Sequence, residues 1–419
     1  MEVPFEEFYD LDHLTLILTE QCNMNCSYCY QRDKRDMGFM TLPIAMKAID
    51  HALSSRKTKK PLHVHFYGGE PLLRFDTIRD LAFLYHGVKF GITTNLSIPL
   101  TDNMIKVFKE NNFHLLISID GLPNTNNKTR GNTDVVVSNV MKLIYAGLKD
   151  NLEARMTVTP ESAKSLYPNF VYLVRKIGFR NVDIIPQTDV EWDYNQCNAL
   201  LENLNGIHSF ILGTRTSVQV KNVTDLLENY QDGNAKKCDL TGNKSCAVNP
   251  DGTIYACHRA AYMDRFRTGD VITGTLSNNT DILSYKAKEY DCDHCAASCI
   301  CSKGCPMEES DMSIDPKKSL CAVTNMIYLS FEYALRMIAM NEYRNRRYDV
   351  VNKYISLMTS VDALGCLQNN FKKFKEEYDK CISYLDSIEQ KNQTIPSYHQ
   401  KIKEDLERLF KEMMKNRFK

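Results

Sequence analysis

Three cysteines near the start of the chain have the spacing of metal ligands. Cys22, Cys26 and Cys29 are separated by three and then two residues. Thiolates at this spacing can hold three irons of a 4Fe–4S cube, which leaves the fourth iron free to bind and reduce a small molecule. A zinc site would need a fourth ligand at similar spacing, but residues 30–50 contain no Cys or His. The cysteines therefore predict an iron–sulfur cluster with one open iron.

A second field of cysteines lies later in the chain, with the short spacings that metal sites use. In a reducing compartment such a field favours metal binding over disulfides. Eight thiolates are enough for two iron–sulfur clusters or for two four-cysteine zinc sites, so the spacing alone leaves both open. The eight are Cys238, Cys246, Cys257, Cys292, Cys295, Cys301, Cys305 and Cys321.

Short apolar segments alternate with segments of helical periodicity between residues 14 and 187. This order predicts a parallel sheet covered by helices, curled into a partial (β/α)6 TIM-like barrel of the α/β class. In such a barrel the site lies at the carboxyl ends of the strands. The predicted strands are Leu14–Leu18, His63–Tyr67, Lys89–Thr93, His114–Ile119, Ala154–Val158 and Val182–Ile185. The predicted helices are Leu42–Leu53, Thr77–Tyr85, Asp102–Glu110, Val135–Leu148 and Tyr167–Ile177.

Candidate site motifs follow four of the predicted strands, so all four lie on one rim. The cysteine loop follows the first strand and Gly68-Gly69-Glu70 follows the second. Asn95 follows the third strand, and Ser118 and Asp120 end the fourth. Their coincidence on one rim predicts a single site there.

A turn signal lies inside the second cysteine field. Asn249-Pro250-Asp251-Gly252 has Pro at the second and Gly at the fourth position of a type I turn. If this turn closes a hairpin, Cys246 and Cys257 are expected on the same face as diagonal neighbours.

The first cysteine loop, with Tyr28 just before its last cysteine, resembles the signature of the radical SAM superfamily. That resemblance implies reductive cleavage of S-adenosylmethionine (SAM) to a 5′-deoxyadenosyl radical, which takes a hydrogen from an unactivated carbon. It also implies that Gly68, Gly69 and Glu70 bind the SAM amino group. The other contacts implied by the resemblance are Ser118 and Asp120 at the ribose and carboxylate, Arg130 at the carboxylate and Asn95 at the nucleoside.

The Gly252-x4-Cys257 element and the quartet Cys292 to Cys305 resemble the SPASM extension of radical SAM peptide-modifying enzymes. This resemblance implies two auxiliary 4Fe–4S clusters, making three in all. It assigns Cys238, Cys246, Cys257 and Cys305 to the first auxiliary cluster. It assigns Cys292, Cys295, Cys301 and Cys321 to the second.

The same resemblance implies a peptide substrate and an oxidative modification. Thioether crosslinking of a ribosomally made precursor peptide is the leading hypothesis, followed by carbon–carbon or carbon–oxygen crosslinking. Formylglycine formation, as in anaerobic sulfatase-maturating enzymes, comes third, because those enzymes carry an Asp where this chain has His258. His258 is the candidate catalytic base. A non-catalytic iron–sulfur or zinc protein is the alternative outside enzymes.

Domain boundaries and partners follow from these patterns. We expect a radical SAM barrel over residues 1–197, a bridging region over 198–237, the SPASM domain over 238–321 and a helical extension over 322–419. A flavodoxin or ferredoxin would supply electrons, and a separate protein is a candidate for leader binding. Lys plus Arg and Asp plus Glu both number 52, which favours neither nucleic acid nor a membrane surface as partner. No export signal or 18-residue apolar run occurs, which predicts a cytoplasmic protein.

Overall fold

The computed structural model of the chain describes residues 2–4, 11–31, 38–214, 217–221, 244–277 and 316–344. The chain forms two compact units. The first comprises residues 1–288 and 302–330 and carries the sheet described below; the second comprises 289–301 and 331–419. Of the second unit the description covers only residues 331–344, the last part of one long helix.

Twelve strands of the described residues form one sheet, in the order β1-β12-β11-β10-β9-β2-β3-β4-β5-β6-β7-β8. Strands β2 to β7 are consecutive in the chain and parallel, as right-handed β/α units require. The bounds are β1 Glu2–Pro4, β2 His13–Thr19, β3 His63–Gly68, β4 Lys89–Thr94, β5 His114–Ser118, β6 Leu152–Val158, β7 Asn181–Pro186, β8 Gln219–Val220, β9 Ser245–Val248, β10 Thr253–Tyr255, β11 Arg267–Asp270 and β12 Thr275–Ser277.

Helices connect the parallel strands, and their apolar faces lie in the core. In α3, for example, Met104, Val107 and Phe108 are buried at helical spacing, and the Thr101 side chain caps the helix by accepting from Met104 N. The bounds are α1 Leu42–Ser54, α2 Phe75–Leu84, α3 Asp102–Glu110, α4 Pro123–Thr129, α5 Thr133–Tyr145, α6 Leu166–Tyr172, α7 Tyr194–Thr214 and α8 Leu320–Arg344. A π-helical turn over Leu173–Ile177 extends α6.

Each predicted strand and helix of the barrel is present within two or three residues of its expected bounds. The sheet is open, as the prediction of a partial barrel requires. The predicted boundary at residue 197 falls within α7, so part of the expected bridging region is helical. Met326–Met340 was expected to be helical and lies inside α8. The helices expected at Val350–Met358, Phe371–Ile388 and Ile402–Phe418 lie outside the described residues.

The hairpin that carries Cys246 pairs directly with the barrel sheet. Strand β9 runs parallel to β2, with Cys246 opposite Leu14 and Val248 opposite Leu16. Antiparallel pairing with β10 then continues the sheet. Cys246, the first described member of the second cysteine field, therefore lies on the strand next to the one that leads into Cys22.

The turn in this hairpin is present as predicted, but its register is not. Gly252 N donates to Asn249 O at 3.0 Å, as a type I turn requires, and Gly252 then adopts a φ of +92°. This left-handed residue adds one position to the loop, so that Val248 pairs with Ile254. Cys257 follows β10 and caps a short 3-10 turn instead. The expectation that Cys246 and Cys257 share a face as diagonal neighbours is therefore wrong.

Among the described residues, no helix combines the length and the apolar character needed to cross a bilayer.

Candidate functional site

The first cysteine loop lies at the carboxyl end of β2. Ser27 N donates to Thr129 O at 2.9 Å, which ties the loop to the end of α4. Cys22, Cys26 and Cys29 form no disulfide and are of intermediate burial. Met24 N donates to Cys22 Sγ at 3.4 Å. The three thiols thus occur together on the rim where sequence reasoning expected them.

The surroundings of Cys22 and Cys26 favour the protonated thiol unless a cation is present. Burial raises the pKa of Cys22, partly offset by the Met24 N–H and reinforced by the charge of Glu70. Burial also raises the pKa of Cys26, and the Arg130 cation opposes this shift. A positively charged metal cluster would stabilise the thiolates outright.

A single metal ion does not fit as well as a cluster. In the portions of the chain that the structure describes, no three Cys, His, Asp or Glu side chains are placed to hold one ion. In a four-iron cube each thiolate binds a different iron, so its ligands do not converge on one point. The donor set of three thiols with N–H donors at Cys22 fits a cube.

Gly68 and Gly69 are required by the close approach of two backbone segments. A Cβ at Gly68 would overlap Thr19 O, and a Cβ at Gly69 would overlap Gln21 O and Glu20 O. Gly69 N donates to Thr19 O at 2.8 Å, and Glu70 N donates to Gln21 O at 2.9 Å. The two glycines therefore allow the end of β3 to pack directly against the residues that lead into Cys22.

Glu70 is fully buried and its carboxylate joins three segments. Oε1 accepts from Leu72 N at 3.0 Å and from Thr94 Oγ1 at 2.7 Å, and Oε2 accepts from Asn95 N at 2.7 Å. Burial raises the pKa of Glu70 to about 7, although these hydrogen bonds oppose the shift. Three donors occupy this carboxylate, which holds the ends of β3 and β4 together.

Asn95 lies against the cysteine loop. Its Nδ2 is 2.9 Å from Asn23 Oδ1 and 3.6 Å from Cys22 Sγ. Its Oδ1 accepts from Ser97 N and Ser97 Oγ. The side chain predicted to face a nucleoside thus contacts the first cysteine.

Asp120 gathers four donors at the carboxyl end of β5. Oδ2 accepts from Tyr28 Oη at 2.5 Å and from Thr129 Oγ1 at 2.6 Å. Oδ1 accepts from Arg130 Nε and Thr157 N, both at 2.9 Å. The side chain of Asp120 is 1% exposed and that of Arg130 is 9% exposed, so this ion pair is buried.

The Arg130 side chain makes two contacts besides its ion pair with Asp120. The Arg130 guanidinium also donates to Thr157 Oγ1 at 3.2 Å and lies 5.2 Å from the Tyr28 ring centre. Its remaining N–H groups are those available to a ligand carboxylate. Ser118 ends β5 opposite Arg155, at intermediate burial. The structure thus brings Tyr28, Asp120 and Arg130 into direct contact.

His258, which directly follows Cys257, lies in a group of aromatic residues with Tyr67 and Tyr30. Its ring is 4.7 Å from that of Tyr67, and Tyr67 Oη is 3.0 Å from Tyr30 Oη. The Nδ1 atom of His258 is 3.9 Å from Cys257 Sγ. Burial, with smaller contributions from Arg155 and Arg259, lowers the pKa of His258 to about 4. Residues that directly follow Cys29 and Cys257 are therefore linked through Tyr67.

Three members of the second cysteine field are described. Cys246 is buried and burial raises its pKa to about 12, whereas Cys257 Sγ accepts from Arg259 N at 3.4 Å. Cys321 lies in the first turn of α8. The side chain of Asn249 is buried at the hairpin turn, and neither its Oδ1 nor its Nδ2 has a hydrogen-bond partner in the described structure. The other five predicted ligands, Cys238, Cys292, Cys295, Cys301 and Cys305, lie outside the described residues.

Sequence reasoning missed several residues that hold the site together. Thr94, Thr129 and Thr157 all contact a buried carboxylate or Arg130. Thr94 and Thr157 lie at or near strand ends on the same rim as the other motifs. Their position at or near strand ends could have identified them from the sequence. Threonine is common in strands, however, so its presence there does not distinguish a site residue.

Comparison with known proteins agrees with this arrangement. Residues 16–168 match the Radical SAM superfamily. The chain is 23% identical to a cysteine-type anaerobic sulfatase-maturating enzyme of Clostridium novyi (strain NT) over 327 residues, or 68% of this chain and 85% of the relative.

Two solved structures share the fold. Native anSMEcpe with bound AdoMet is 21% identical and covers 78% of this chain and 98% of its own, with a TM-score of 0.62. Streptococcus suis SuiB bound to precursor peptide SuiA is 14% identical and covers 75% of this chain and 76% of its own, with a TM-score of 0.57. At these identities the likeness establishes the fold.

The fold, the site residues at the carboxyl ends of the strands and the sequence match all indicate the same class of protein. The chain contains a radical SAM domain and is an enzyme related in sequence to an anaerobic sulfatase-maturating enzyme. SAM and a 4Fe–4S cluster are the cofactors that this superfamily implies.

Proposed function

We propose that the chain is a peptide-modifying radical SAM enzyme that installs a thioether crosslink in a ribosomally made precursor peptide. The observation that carries the proposal is the pairing of β9 with β2. Through this pairing Cys246, a member of the second cysteine field, lies on the strand next to the one that leads into Cys22. The related structure of SuiB contains a bound precursor peptide, which supports a peptide as substrate.

The proposed cofactor sites follow from the donors. Cys22, Cys26 and Cys29 would hold the SAM-binding 4Fe–4S cluster, and Tyr28, Gly68, Gly69, Glu70, Asn95, Ser118, Asp120 and Arg130 would shape the SAM site. When bound, SAM and this cluster supply the one-electron chemistry that activates a substrate C–H bond. The eight later cysteines would hold two auxiliary 4Fe–4S clusters, whose chemistry is electron transfer.

The electron count requires an acceptor. Joining a cysteine sulfur to a carbon removes one hydrogen from each, so two electrons leave the peptide. One departs with the hydrogen atom transferred to the deoxyadenosyl group, and the other needs an acceptor. The second cysteine field, whose member Cys246 lies on the strand next to β2, is the proposed source of that acceptor as an iron–sulfur cluster. A flavodoxin or ferredoxin is the proposed electron donor, and a separate protein is the proposed leader-binding partner.

His258 is the proposed base that takes up the proton released from substrate. It is half-buried, packs against Tyr67 and adjoins Tyr30 through that residue, so it lies beside the residues that directly follow Cys29 and Cys257. A neutral imidazole there can accept a proton. Arg259 lies with its guanidinium 5.5 Å from the Tyr30 ring centre, next to the same group.

The test is anaerobic reconstitution followed by turnover. The full chain should bind about twelve irons, four for each of three cubes. With strong reductant it should release 5′-deoxyadenosine from SAM, and more of it with a cysteine-containing precursor peptide. A thioether product has lost two hydrogens, and its sulfur no longer reacts with a thiol-alkylating reagent. A peptide that retains every free thiol would contradict thioether formation.

Formylglycine formation, the third hypothesis from the sequence, is kept as a candidate because a sulfatase-maturating enzyme is similar over 68% of the chain. That reaction would convert a peptide cysteine to an aldehyde, which a hydrazide reagent traps and a thioether does not. Carbon–carbon or carbon–oxygen crosslinking would remove two hydrogens while leaving cysteine thiols reactive. One mass-spectrometric experiment with both reagents separates the three outcomes.

A further inference from the structure

The amide of Asn95 directs both of its N–H groups at the first cysteine loop. One acceptor is Asn23 Oδ1 at 2.9 Å, and the other is Cys22 Sγ at 3.6 Å. Sulfur is larger than oxygen, so its hydrogen bonds are correspondingly longer. Asn95 is 7% exposed, which leaves little water to compete for the sulfur.

The orientation of this amide is fixed by a backbone donor. Ser97 N lies 2.9 Å from Asn95 Oδ1. A backbone N–H can only donate, so the atom that it meets must be the amide oxygen. The nitrogen of Asn95 is therefore the atom that faces Cys22.

The position of Asn95 is fixed as well. Asn95, Asn23 and Ser97 form a closed ring of hydrogen bonds, in which Asn23 Nδ2 donates to Ser97 Oγ at 2.8 Å and Ser97 Oγ donates to Asn95 Oδ1 at 2.7 Å. Glu70 Oε2 accepts from Asn95 N at 2.7 Å and holds the backbone of Asn95. The bonds from Ser97 N to Asn95 Oδ1 and from Asn95 N to Glu70 do not involve the Ser97 hydroxyl, and they suffice to keep the N–H group on the sulfur.

We propose that Asn95 is a positioning residue that raises the reduction potential of the cluster bound at Cys22. One electron from the donor protein adds negative charge to the cluster and its thiolates. An N–H donor at the sulfur stabilises that reduced state more than the oxidised state. Removal of the donor should therefore make the cluster harder to reduce. This inference rests on the proposed assignment of Cys22 as a cluster ligand.

The test is a redox titration of the reconstituted full-length enzyme, followed by electron paramagnetic resonance. The signal to follow is the component that changes when SAM is added. In Asn95→Leu, which keeps the volume and removes the donor, the reduced-to-oxidised ratio at a fixed potential should fall about tenfold. For a one-electron couple that is a shift of about 59 mV to lower potential. Asn95→Asp should shift in the same direction and serves if the leucine variant binds no cluster.

Ser97→Ala is the matched control, because it breaks the hydrogen-bond ring but leaves the N–H group on Cys22. Its potential should equal that of the wild type. An unchanged potential in an iron-loaded Asn95→Leu or Asn95→Asp variant would overturn the inference, as would an equal shift in Ser97→Ala. A wild-type chain without any SAM-responsive cluster would overturn both the inference and the proposed function. A normal cluster with an unshifted potential in the variants would overturn the inference alone.

Discussion

The phenol of Tyr28 donates a hydrogen bond of 2.5 Å to the carboxylate of Asp120. These residues are 92 positions apart, yet the bond joins the first cysteine loop to the end of β5. Arg130 and Thr129 bind the same carboxylate. The loop that carries the three cysteines is therefore anchored to a buried ion pair at the end of β5.

Replacing Asp120 should release this anchor. In Asp120→Asn the Arg130 guanidinium stays buried without its charge partner, so the free energy of unfolding should fall by about 3–5 kcal/mol. Tyr28→Phe removes one hydrogen bond to a charged group and should cost about 1.5–3 kcal/mol. Urea unfolding of the cluster-free protein measures both changes.

Asp76→Asn is the control for this pair of variants. Asp76 pairs with Arg79 at the surface, with a side chain that is 84% exposed. Such pairs contribute less than about 1 kcal/mol. If Asp120→Asn were no more destabilising than Asp76→Asn, the anchoring role of Asp120 would be wrong.

Gly69→Ala should displace the residues that precede Cys22. The added Cβ overlaps the carbonyl oxygens of Gln21 and Glu20, both of which are backbone atoms. We expect a loss of about 1–3 kcal/mol and reduced iron loading in the SAM cluster. Gly213→Ala in α7 is the matched control, because its Cβ meets nothing within 4 Å. Equal iron content and stability in the two variants would contradict the role assigned to Gly69.

Glu70 gives the stability a predictable dependence on pH. Burial raises its pKa from 4.5 to about 7, so between these values the folded state binds the proton more tightly than the unfolded state. The free energy of unfolding should therefore fall as pH rises from 4.5 to 7 and level off above 7. The contribution of this group over the window is about 3 kcal/mol.

Glu70→Gln should remove that slope. The measurement is urea unfolding of the cluster-free wild type and variant at several pH values across the window. Glu110→Gln, at a surface position that is 62% exposed, should leave the slope unchanged. A wild-type-minus-variant difference that is constant with pH would show that Glu70 does not titrate as described.

The barrel could be predicted from sequence because its strands are short apolar runs and its helices carry regular apolar stripes. Leu14, Leu16 and Leu18, for instance, are all buried in β2. The hairpin register was beyond that reasoning, since it depends on Gly252 adopting a left-handed conformation and adding a loop position. The pairing of Cys246 with Leu14 was also hidden, because contacts over such separations leave no periodic signal.

The site was predictable in its members but not in their contacts. Motif order alone placed Glu70, Asn95 and Asp120 on one rim. That Glu70 binds Thr94, or that Asn95 meets Cys22, depends on how neighbouring strand ends converge in space. Side-chain partners of this kind are set by the packed structure.

The proposed auxiliary clusters can be distinguished from the proposed SAM-binding cluster by iron content and spectrum. Replacing both Cys246 and Cys257 with Ala should lower the iron content by about four atoms per chain while SAM still alters the spectrum of the remaining cluster. Cys197→Ala, outside the cysteine fields, should leave the iron content unchanged. Zinc in place of iron at these positions, measured by elemental analysis, would support the alternative of structural four-cysteine zinc sites.

The proposal that Cys22, Cys26 and Cys29 hold the SAM-cleaving cluster is tested most directly by the yield of 5′-deoxyadenosine from SAM under anaerobic conditions with strong reductant. The wild type should form 5′-deoxyadenosine. The variant with Cys22, Cys26 and Cys29 all changed to Ala should form none, while keeping the iron held by the later cysteines. Formation of 5′-deoxyadenosine by the triple variant would contradict the assignment of the SAM cluster to these three residues.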